Sequence, residues 1–240
     1  MNILVTGVSK GVGLEIASVL LEQGHIVYGI SRSKTDEMII LLSKYTSNFH
    51  HLQYDLEDVT NVHKVVFKQF VNNKIPLHGF VNNAALAYDD IITNLNEFEL
   101  EKMFRVNTFT PMMMTKYVIR NMIVNRLKGS ILHISSISVH TGYKGLAMYA
   151  ASKGALEAFS KNTAREWGEK GIRSNCIVAG FMETSMSATL SDEQKNRIYN
   201  RTSLKQPTNI NSVAETIAFL LSGKAQSVTG QNIFIDNGTI

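Results

Sequence analysis

Short apolar runs alternate along this chain with longer segments in which apolar residues recur every three or four positions. The short runs predict buried strands, and the longer segments predict amphipathic helices. The predicted strands cover residues 3–6, 26–30, 52–54, 80–82, 131–134, 172–178 and 233–235. The predicted helices cover residues 12–23, 35–45, 59–71, 98–126 with a break near Pro111, 149–167 and 213–221. Residues 181–202 are polar and contain methionines, and we expect them to form a mobile segment.

Strands that alternate with helices are typical of βαβ units, in which a helix crosses over between two parallel strands. The pattern therefore predicts an α/β fold: a doubly wound, Rossmann-type parallel sheet of about seven strands with helices on both faces. The sequence contains no internal repeat, low-complexity tract or linker, so we expect residues 1–240 to form one domain.

Composition and charge narrow the classes of function. Of the 240 residues 44% are hydrophobic and 18% are charged, as in globular proteins. The formal net charge is only +4 and the basic residues are dispersed, which does not favour nucleic-acid binding. Cys176 is the single cysteine, so no intrachain disulfide is possible and a reducing compartment is expected. We find no secretory signal pattern and no apolar run of membrane-spanning length, and we expect a cytoplasmic protein without membrane partners.

Three glycines stand between the first predicted strand and the first predicted helix, in the order Gly7-x-x-x-Gly11-x-Gly13. Glycines there let backbone N–H groups approach a pyrophosphate, and the start of the helix adds a favourable dipole. The spacing is neither Gly-x-Gly-x-x-Gly nor a P-loop, so an ordinary glycine turn is the alternative. Its place at the first strand–helix junction favours a nucleotide-binding turn. We expect further contacts in this turn from Ser9, Lys10 and Val12.

The end of the second predicted strand should approach the adenosine ribose. An acidic residue there would bind the 2′-hydroxyl of NAD, whereas an arginine suits the 2′-phosphate of NADP. The chain has Arg32 at this place, with Ser31 and Ser33 beside it as donors, and Lys10 could reach the same phosphate. The pattern therefore favours NADP(H) over NAD(H); the alternative is that both cations are ordinary surface residues.

Two further strand ends complete the expected cofactor site. Asp55 and Leu56 follow the third strand, where they could contact the adenine. Asn83, Ala84 and Ala85 follow the fourth strand, where small side chains let the backbone and a cofactor pack closely. Turn chemistry is the alternative explanation for the asparagine.

Tyr149 and Lys153 are four residues apart and therefore share one face of a helix. A nearby ammonium favours the phenolate, so we expect Lys153 to lower the pKa of Tyr149 from its usual value of about 10. The pair predicts an acid/base for carbonyl–alcohol chemistry; an exposed pair on a solvated helix is the alternative. Ser136 follows the fifth predicted strand, at the edge where parallel sheets place ligands. His133 is expected to be a core histidine, since no cluster of Cys, His or carboxylate residues near it has metal-ligand spacing.

Taken together, these motifs resemble the short-chain dehydrogenase/reductase family over essentially the whole chain. The motifs are the glycine turn 6–13, Asp55, residues 82–85, Asn107, Ser136 and the Tyr149/Lys153 pair. Within the family the chain is most similar to the 3-oxoacyl-(acyl carrier protein) reductases, and its ending at residues 228–238 supports that subgroup.

The resemblance implies a role for each residue at the catalytic centre. Tyr149 would exchange the proton with the substrate oxygen, and Lys153 would lower its pKa and bind the nicotinamide ribose. Ser136 would hold the substrate oxygen, and Asn107 would anchor a water relay to Lys153. Near the nicotinamide, the resemblance implies contacts from Gly180, Met182 and Thr184.

The chain departs from the family pattern at several positions. Ala85 stands where the family has a glycine, and its methyl group is expected to crowd the cofactor slightly. Ala179 precedes Gly180 where the family has a proline. The basic residues that bind the carrier protein in this subgroup are matched only in part, by Lys170 and by the neighbours of Leu127.

Three regions are expected to line the substrate pocket: residues 86–88, residues 140–143 and residues 181–186. Within them we expect substrate contacts from His140, Tyr143, Phe181 and Met186, in addition to Ser136 and Tyr149. The apolar residues suggest an adaptable wall, although they could equally pack a lid onto the core. A dimer or tetramer is implied by the resemblance.

Three functions compete. The first is NADPH-dependent reduction of a ketone, most plausibly a 3-oxoacyl thioester. The second is oxidation or reduction of a sugar, a polyol or another small secondary alcohol. The third, of another class, is a regulatory protein that binds a nucleotide without turnover, because a fold does not fix a function.

Overall fold

A parallel sheet of seven strands forms the centre of the protein in a computed structural model, which describes residues 1–72, 74–184 and 190–240. The strands are β1 (Asn2–Thr6), β2 (Ile26–Ser31), β3 (Phe49–Gln53), β4 (Gly79–Asn82), β5 (Ser130–Ser136), β6 (Arg173–Ala179) and β7 (Asn232–Ile235). Their order in the sheet is β3-β2-β1-β4-β5-β6-β7. All neighbouring strands are parallel.

Helices connect the strands. The α-helices of the described chain are α1 (Gly11–Glu22), α2 (Asp36–Lys44), α3 (Glu97–Phe104), α4 (Thr110–Val124), α5 (Ser138–Thr141), α6 (Ala147–Trp167), α7 (Asp192–Tyr199) and α8 (Ile210–Leu221). Two segments are π-helical, His63–Phe70 and Arg105–Phe109, and short 3₁₀ turns occur at Ile92–Asn94, Gly168–Lys170 and Gly223–Ala225.

Two apolar cores cover the two faces of the sheet. Side chains alternate between the faces along each strand, so that Leu132 packs in one core and its neighbour Ile131 in the other. The first core is formed with α1, α2 and α8, and the second with the segment His63–Phe70 and α4. Helix α6 packs on β5 and β6. The predicted α/β fold, with about seven parallel strands and helices on both faces, is confirmed.

The strand order places the ligand-binding crevice. Because β1 is flanked by β2 on one side and β4 on the other, the direction of winding reverses between β1 and β4. Open parallel sheets bind ligands beyond the carboxyl ends of the strands at such a switch point.

Two elements differ from their predicted bounds. Strand β3 begins at Phe49 instead of residue 52, because the histidines that follow Phe49 hide a strand that pairs in register with β2. The helix expected over residues 98–126 is irregular at Arg105–Phe109, before Pro111. Pro111 lies in the first turn of α4, where a missing N–H costs little.

Part of the segment expected to be mobile, residues 181–202, forms a helix. Helix α7 begins after Ser191, whose side chain accepts a hydrogen bond from the backbone of Gln194, while the Gln194 side chain accepts one from the Ser191 backbone. This capping box is a sequence signal for a helix start that the prediction for residues 181–202 overlooked.

Candidate active site

A cleft of about 750 Å³ opens beyond the carboxyl ends of the strands, at the switch point of the sheet. It brings together almost all residues that the sequence predicts for the site. The predicted residues that line it are Gly7, Ser9, Lys10, Gly11, Val12, Gly13, Ser31, Arg32, Ser33, Asp55, Leu56, Asn83, Ala84, Ala85, Ser136, Tyr143, Tyr149, Lys153, Gly180, Phe181, Met182 and Thr184.

Three predicted site residues are not part of this lining. Asn107 lies behind the wall and is fully buried. His140 does not line the cleft, because its imidazole Nε2 atom lies 3.1 Å from the Glu157 carboxylate and its ring packs on Phe234. The structure therefore gives no support to His140 as a substrate contact. Met186 lies outside the described residues.

The glycine turn folds so tightly that parts of its own backbone lie against each other. Gly7 and Gly11 have positive φ angles of 76° and 58°, which residues with a side chain rarely adopt. A side chain at Gly13 would place its Cβ atom 2.0 Å from the Gly7 carbonyl oxygen. At Gly11 the nearest atom to such a Cβ, in Thr184, is 3.7 Å away, so the backbone borders open space of the cleft.

The same turn starts helix α1. The N-cap residue of α1, Lys10, makes no capping hydrogen bond with its side chain, so it leaves the backbone N–H groups of the first turn to a ligand in the cleft. Free N–H groups and the positive end of the helix dipole suit a pyrophosphate. The residues present therefore fit the dinucleotide that the sequence predicts.

Asn83 and Thr6 hold the glycine turn to the end of β4. The Asn83 side-chain amide donates to the carbonyl oxygens of Thr6 and Gly7, at 3.0 and 3.3 Å. The Thr6 hydroxyl accepts hydrogen bonds from the backbone N–H groups of Asn83 and Ala84, both at 3.1 Å. Asn83 thus stabilises a turn, which was the alternative interpretation of this residue. The supporting role of Thr6 was not predicted.

The predicted phosphate corner presents two cations. Arg32 and Lys10 both line the cleft, and neither forms an ion pair with any residue that the structure describes. The Ser31 hydroxyl is already committed to the Ser33 carbonyl oxygen at 2.8 Å. His51 contacts the same hydroxyl at 2.9 Å; burial, with the charge of Lys34, lowers the pKa of His51 to about 4.

Helix α6 carries Tyr149 and Lys153 on one face, and β5 ends at Ser136 beside them. The Lys153 ammonium donates a 2.8 Å hydrogen bond to the Ile134 carbonyl oxygen and lies 5.8 Å from the centroid of the Tyr149 ring. Lys153 is 1% exposed, so this is not the solvated pair that was the alternative to a catalytic one.

The pKa of Tyr149 moves in the direction opposite to the expectation. Burial raises the pKa of Tyr149 to about 12, and the nearby Asp89 carboxylate adds to the effect. Burial also lowers the pKa of Lys153 to about 8. The expected fall of the Tyr149 pKa below 10 is therefore wrong: the net shift is upward, because the loss of hydration dominates. The phenol is protonated at neutral pH, as a proton donor must be.

Asn107 holds the wall of the cleft in place. Its side-chain oxygen accepts from the Leu86 N–H at 2.8 Å, and its amide donates to the Leu86 carbonyl oxygen at 2.8 Å and the Ser152 hydroxyl at 3.0 Å. Ser152 in turn donates to the Tyr149 carbonyl oxygen at 2.8 Å. Asn107 thus links the segment after β4 to the start of α6.

Charged residues that were not predicted also line the cleft, among them Asp89, Lys144 and Arg201. The Asp90 N–H donates to the Gly145 carbonyl oxygen at 3.0 Å, which brings the segments carrying Asp89 and Lys144 together. Arg201 lies over the Tyr143 ring at 5.7 Å. No motif marks them, since only the fold brings them to one rim.

His133 is fully buried between the rings of Phe80 and Phe159, so the prediction of a core histidine is confirmed. Across residues 1–72, 74–184 and 190–240, no three His, Cys, Asp or Glu side chains group as metal ligands would. Within the same ranges no helix has the length and apolar character needed to cross a membrane.

Known proteins resemble this chain over almost its full length. A family model described as Enoyl-(Acyl carrier protein) reductase matches residues 7–239. The chain is 32% identical to an L-xylulose reductase of Caenorhabditis elegans, over 99% of this chain and 94% of that protein. It is also 32% identical to the 3-oxoacyl-(acyl-carrier-protein) reductase FabG of Escherichia coli strain K12, over 98% of this chain and 95% of that protein.

Solved structures share the fold. A 4-hydroxyisoleucine dehydrogenase complexed with NADH superposes with a TM-score of 0.92 at 25% identity, covering 99% of this chain and 98% of that one. The protein ElxO with NADP bound superposes with a TM-score of 0.89 at 28% identity, covering the same shares of the two chains.

Proposed function

The chain belongs to the short-chain dehydrogenase/reductase family of NAD(P)-dependent oxidoreductases, and we propose that it uses NADPH to reduce a ketone to a secondary alcohol. Residues 1–240 would act as one NAD(P)-binding catalytic domain. The observation that carries the proposal is the convergence of Ser136, Tyr149 and Lys153 on a cleft that also contains the glycine turn and Arg32.

The residues of the chain divide the work around the reacting oxygen. When bound, the dinucleotide supplies the hydride that adds to the carbonyl carbon. The protonated Tyr149 hydroxyl donates its proton to the carbonyl oxygen, which completes the alcohol. The Ser136 hydroxyl donates a hydrogen bond to the same oxygen and stabilises the charge that develops on it. The ammonium of Lys153, close to the ring, stabilises the phenolate that Tyr149 becomes.

The preference for NADPH rests on the charge of the corner beyond β2. Arg32 and Lys10 offer two cations to a 2′-phosphate, and β2 ends in Ser31 without an acidic residue to bind a free 2′-hydroxyl. Arginine can grip a phosphate through two parallel hydrogen bonds.

A 3-oxoacyl thioester is the first candidate substrate. Phe181 and Met182 provide an apolar wall against which an acyl chain could lie. The 3-oxoacyl-(acyl-carrier-protein) reductases among the relatives support the same substrate class, which would connect the protein with fatty-acid synthesis.

A small hydroxylated ketone, such as a ketose, is the second candidate. The charged rim favours it, because Asp89 and Lys144 make no hydrogen bond or ion pair within the described chain and could bind substrate hydroxyl groups. The L-xylulose reductase among the relatives adds support.

The test is a panel of carbonyl compounds assayed by the loss of NADPH absorbance. Faster reduction of an acetoacetyl thioester supports the first candidate, and faster reduction of L-xylulose or another ketose supports the second. The variant Asp89→Asn should slow reduction of the ketose more than that of the thioester. A protein that binds NADPH but reduces none of the compounds would instead support a regulatory role without turnover.

We also propose that the protein forms a homodimer or homotetramer. Apolar side chains at and next to α4 are exposed in the single chain: Phe109 is 46% exposed and Val124 is 75% exposed. Packing of this helix against a second copy of the chain would remove both side chains from water. Light scattering coupled to size-exclusion chromatography measures the mass directly.

A further inference from the structure

Glu157 lies on α6, four residues after Lys153, and is largely buried at 8% exposure. Its carboxylate receives hydrogen bonds from three different elements. The Ser135 hydroxyl on β5 donates to one oxygen, the Asn232 amide on β7 donates to the other at 2.6 Å, and the His140 Nε2 atom on α5 lies 3.1 Å away. A buried carboxylate without partners would be costly, so this convergence of donors stabilises the charge.

Glu157 extends the helical face that bears the reacting groups. Tyr149, Lys153 and Glu157 follow one another at intervals of four residues, so they lie along one side of α6. Lys153 binds the carbonyl oxygen of Ile134, and Glu157 binds the side chain of Ser135. Helix α6 is thus fixed to two consecutive residues of β5 directly before Ser136.

Glu157 also holds the chain that follows Ser136. The Ser136 hydroxyl accepts a 3.2 Å hydrogen bond from the Ser138 N–H at the start of α5. His140 is the third residue of α5, and its contact with Glu157 secures this short helix. The carboxylate therefore restrains the backbone on both sides of Ser136.

We infer that Glu157 is a positioning residue, which sets the place of the Ser136 hydroxyl relative to Tyr149 and Lys153. Glu157 does not line the cleft, so it acts on the reaction only through its hydrogen bonds. The inference rests on the proposed function, since it assigns Glu157 a part in the same carbonyl chemistry. Displacement of a reacting group by about 1 Å can cost about 100-fold in rate, so such a restraint has a kinetic consequence.

The variant Glu157→Gln tests the inference. Glutamine keeps the shape but removes the charge and replaces one acceptor oxygen with an NH₂ donor, so at least one partner must reverse its hydrogen bond or lose it, and the charge-assisted bonds weaken. We expect kcat to fall about tenfold or more, while the dissociation constant of NADPH stays the same. The matched control is Glu166→Gln, an exposed glutamate near the end of the same helix, which should retain wild-type kcat.

A double-mutant cycle separates positioning from a general loss of structure. If Glu157 acts through Ser136, then Glu157→Gln should have little further effect on kcat once Ser136 is replaced by alanine. The same fold-loss of kcat in the wild type and in Ser136→Ala would contradict the inference. A Glu157→Gln enzyme with wild-type kcat would also contradict it. Ser135→Ala removes only one of the bonds and should reproduce part of the loss, even where Glu157→Gln proves poorly folded.

Crystal structures of the wild type and of Glu157→Gln test the inference without an activity assay. We expect the Ser136 hydroxyl to shift relative to the Lys153 ammonium in the variant; an unchanged position would overturn the inference. If the wild type shows no reductase activity but Ser136 still shifts in Glu157→Gln, the result contradicts the proposed function and leaves the positioning role of Glu157 intact.

Discussion

The ammonium of Lys153 lies 5.8 Å from the centre of the Tyr149 ring, yet its 2.8 Å hydrogen bond goes to the backbone of β5 instead of to the phenol. Lys153 is buried and Tyr149 is partly buried, and the loss of hydration raises the pKa of Tyr149 to about 12 and lowers that of Lys153 to about 8. Below the lower of these values the site therefore holds a protonated phenol beside a charged amine. That is the combination a reductase needs.

This arrangement predicts the pH dependence of reduction. We expect kcat/KM to be constant below a pH of about 7 and to fall above an apparent pKa of about 8, where Lys153 loses the charge that stabilises the phenolate. The measurement is the initial rate of NADPH oxidation from about pH 6 to about pH 10. In Lys153→Arg the cation persists at high pH, so the fall should move to higher pH. A fall at the same pH in this variant would assign it to another group.

The fold follows from the sequence because its signals are local and strong. Strand β1 is buried on both faces and contains the continuous apolar run Ile3-Leu4-Val5, and α1 shows the regular spacing of an amphipathic helix. The predicted bounds of strands and helices are wrong where an interaction with a distant part of the chain determines the element. Strand β3 begins at Phe49 because β2 pairs with it, and the π-helical turn at Arg105–Phe109 places Asn107 inside the protein.

The site is predictable to the extent that motifs mark it. The glycine turn, Ser136 and the Tyr149/Lys153 pair all reach the cleft as expected. The direction of the Tyr149 pKa shift is not readable from spacing, because it depends on how much water the fold removes. His140 follows the correct strand, but only the fold shows that its ring lies against Glu157.

Replacement of Lys153 by methionine should stabilise the folded protein at neutral pH. The folded chain has a Lys153 pKa of about 8, below the ordinary value of 10.5, so between these values the unfolded chain binds more protons and wild-type stability rises with pH. Below a pH of about 8 the amine is charged in both states, and burial of this charge costs the folded protein about 3 kcal/mol. The advantage of Lys153→Met should therefore be largest near pH 7 and should shrink toward pH 10.5.

Urea unfolding of the two proteins at several pH values measures this difference, and the titration of other groups largely cancels between them. Lys161→Met, at an exposed position of α6, serves as the control and should change stability little at any pH. A constant difference between wild type and Lys153→Met across the range would show that the buried amine is not titrating.

Removal of the Tyr149 hydroxyl should abolish turnover without weakening the cofactor. Tyr149→Phe keeps the aromatic ring but removes the proton donor, so we expect kcat to fall by about 1,000-fold. The dissociation constant of NADPH, measured by fluorescence titration, should stay unchanged. Tyr45→Phe provides a matched control, since Tyr45 is a partly buried tyrosine at the end of α2 that does not line the cleft. Full activity in Tyr149→Phe would refute the role of proton donor.

Arg32 should determine the choice between NADPH and NADH. Arg32 lines the cleft at the corner expected to hold the 2′-phosphate. Loss of a charged hydrogen-bonding partner there should cost about 2 kcal/mol, so Arg32→Ala should weaken NADPH binding by about 30-fold. NADH lacks the phosphate and should lose far less. Lys34→Ala is the control, because Lys34 is an exposed cation two residues farther along the chain that does not line the cleft. Equal losses of both cofactors in Arg32→Ala would show that the guanidinium does not distinguish them.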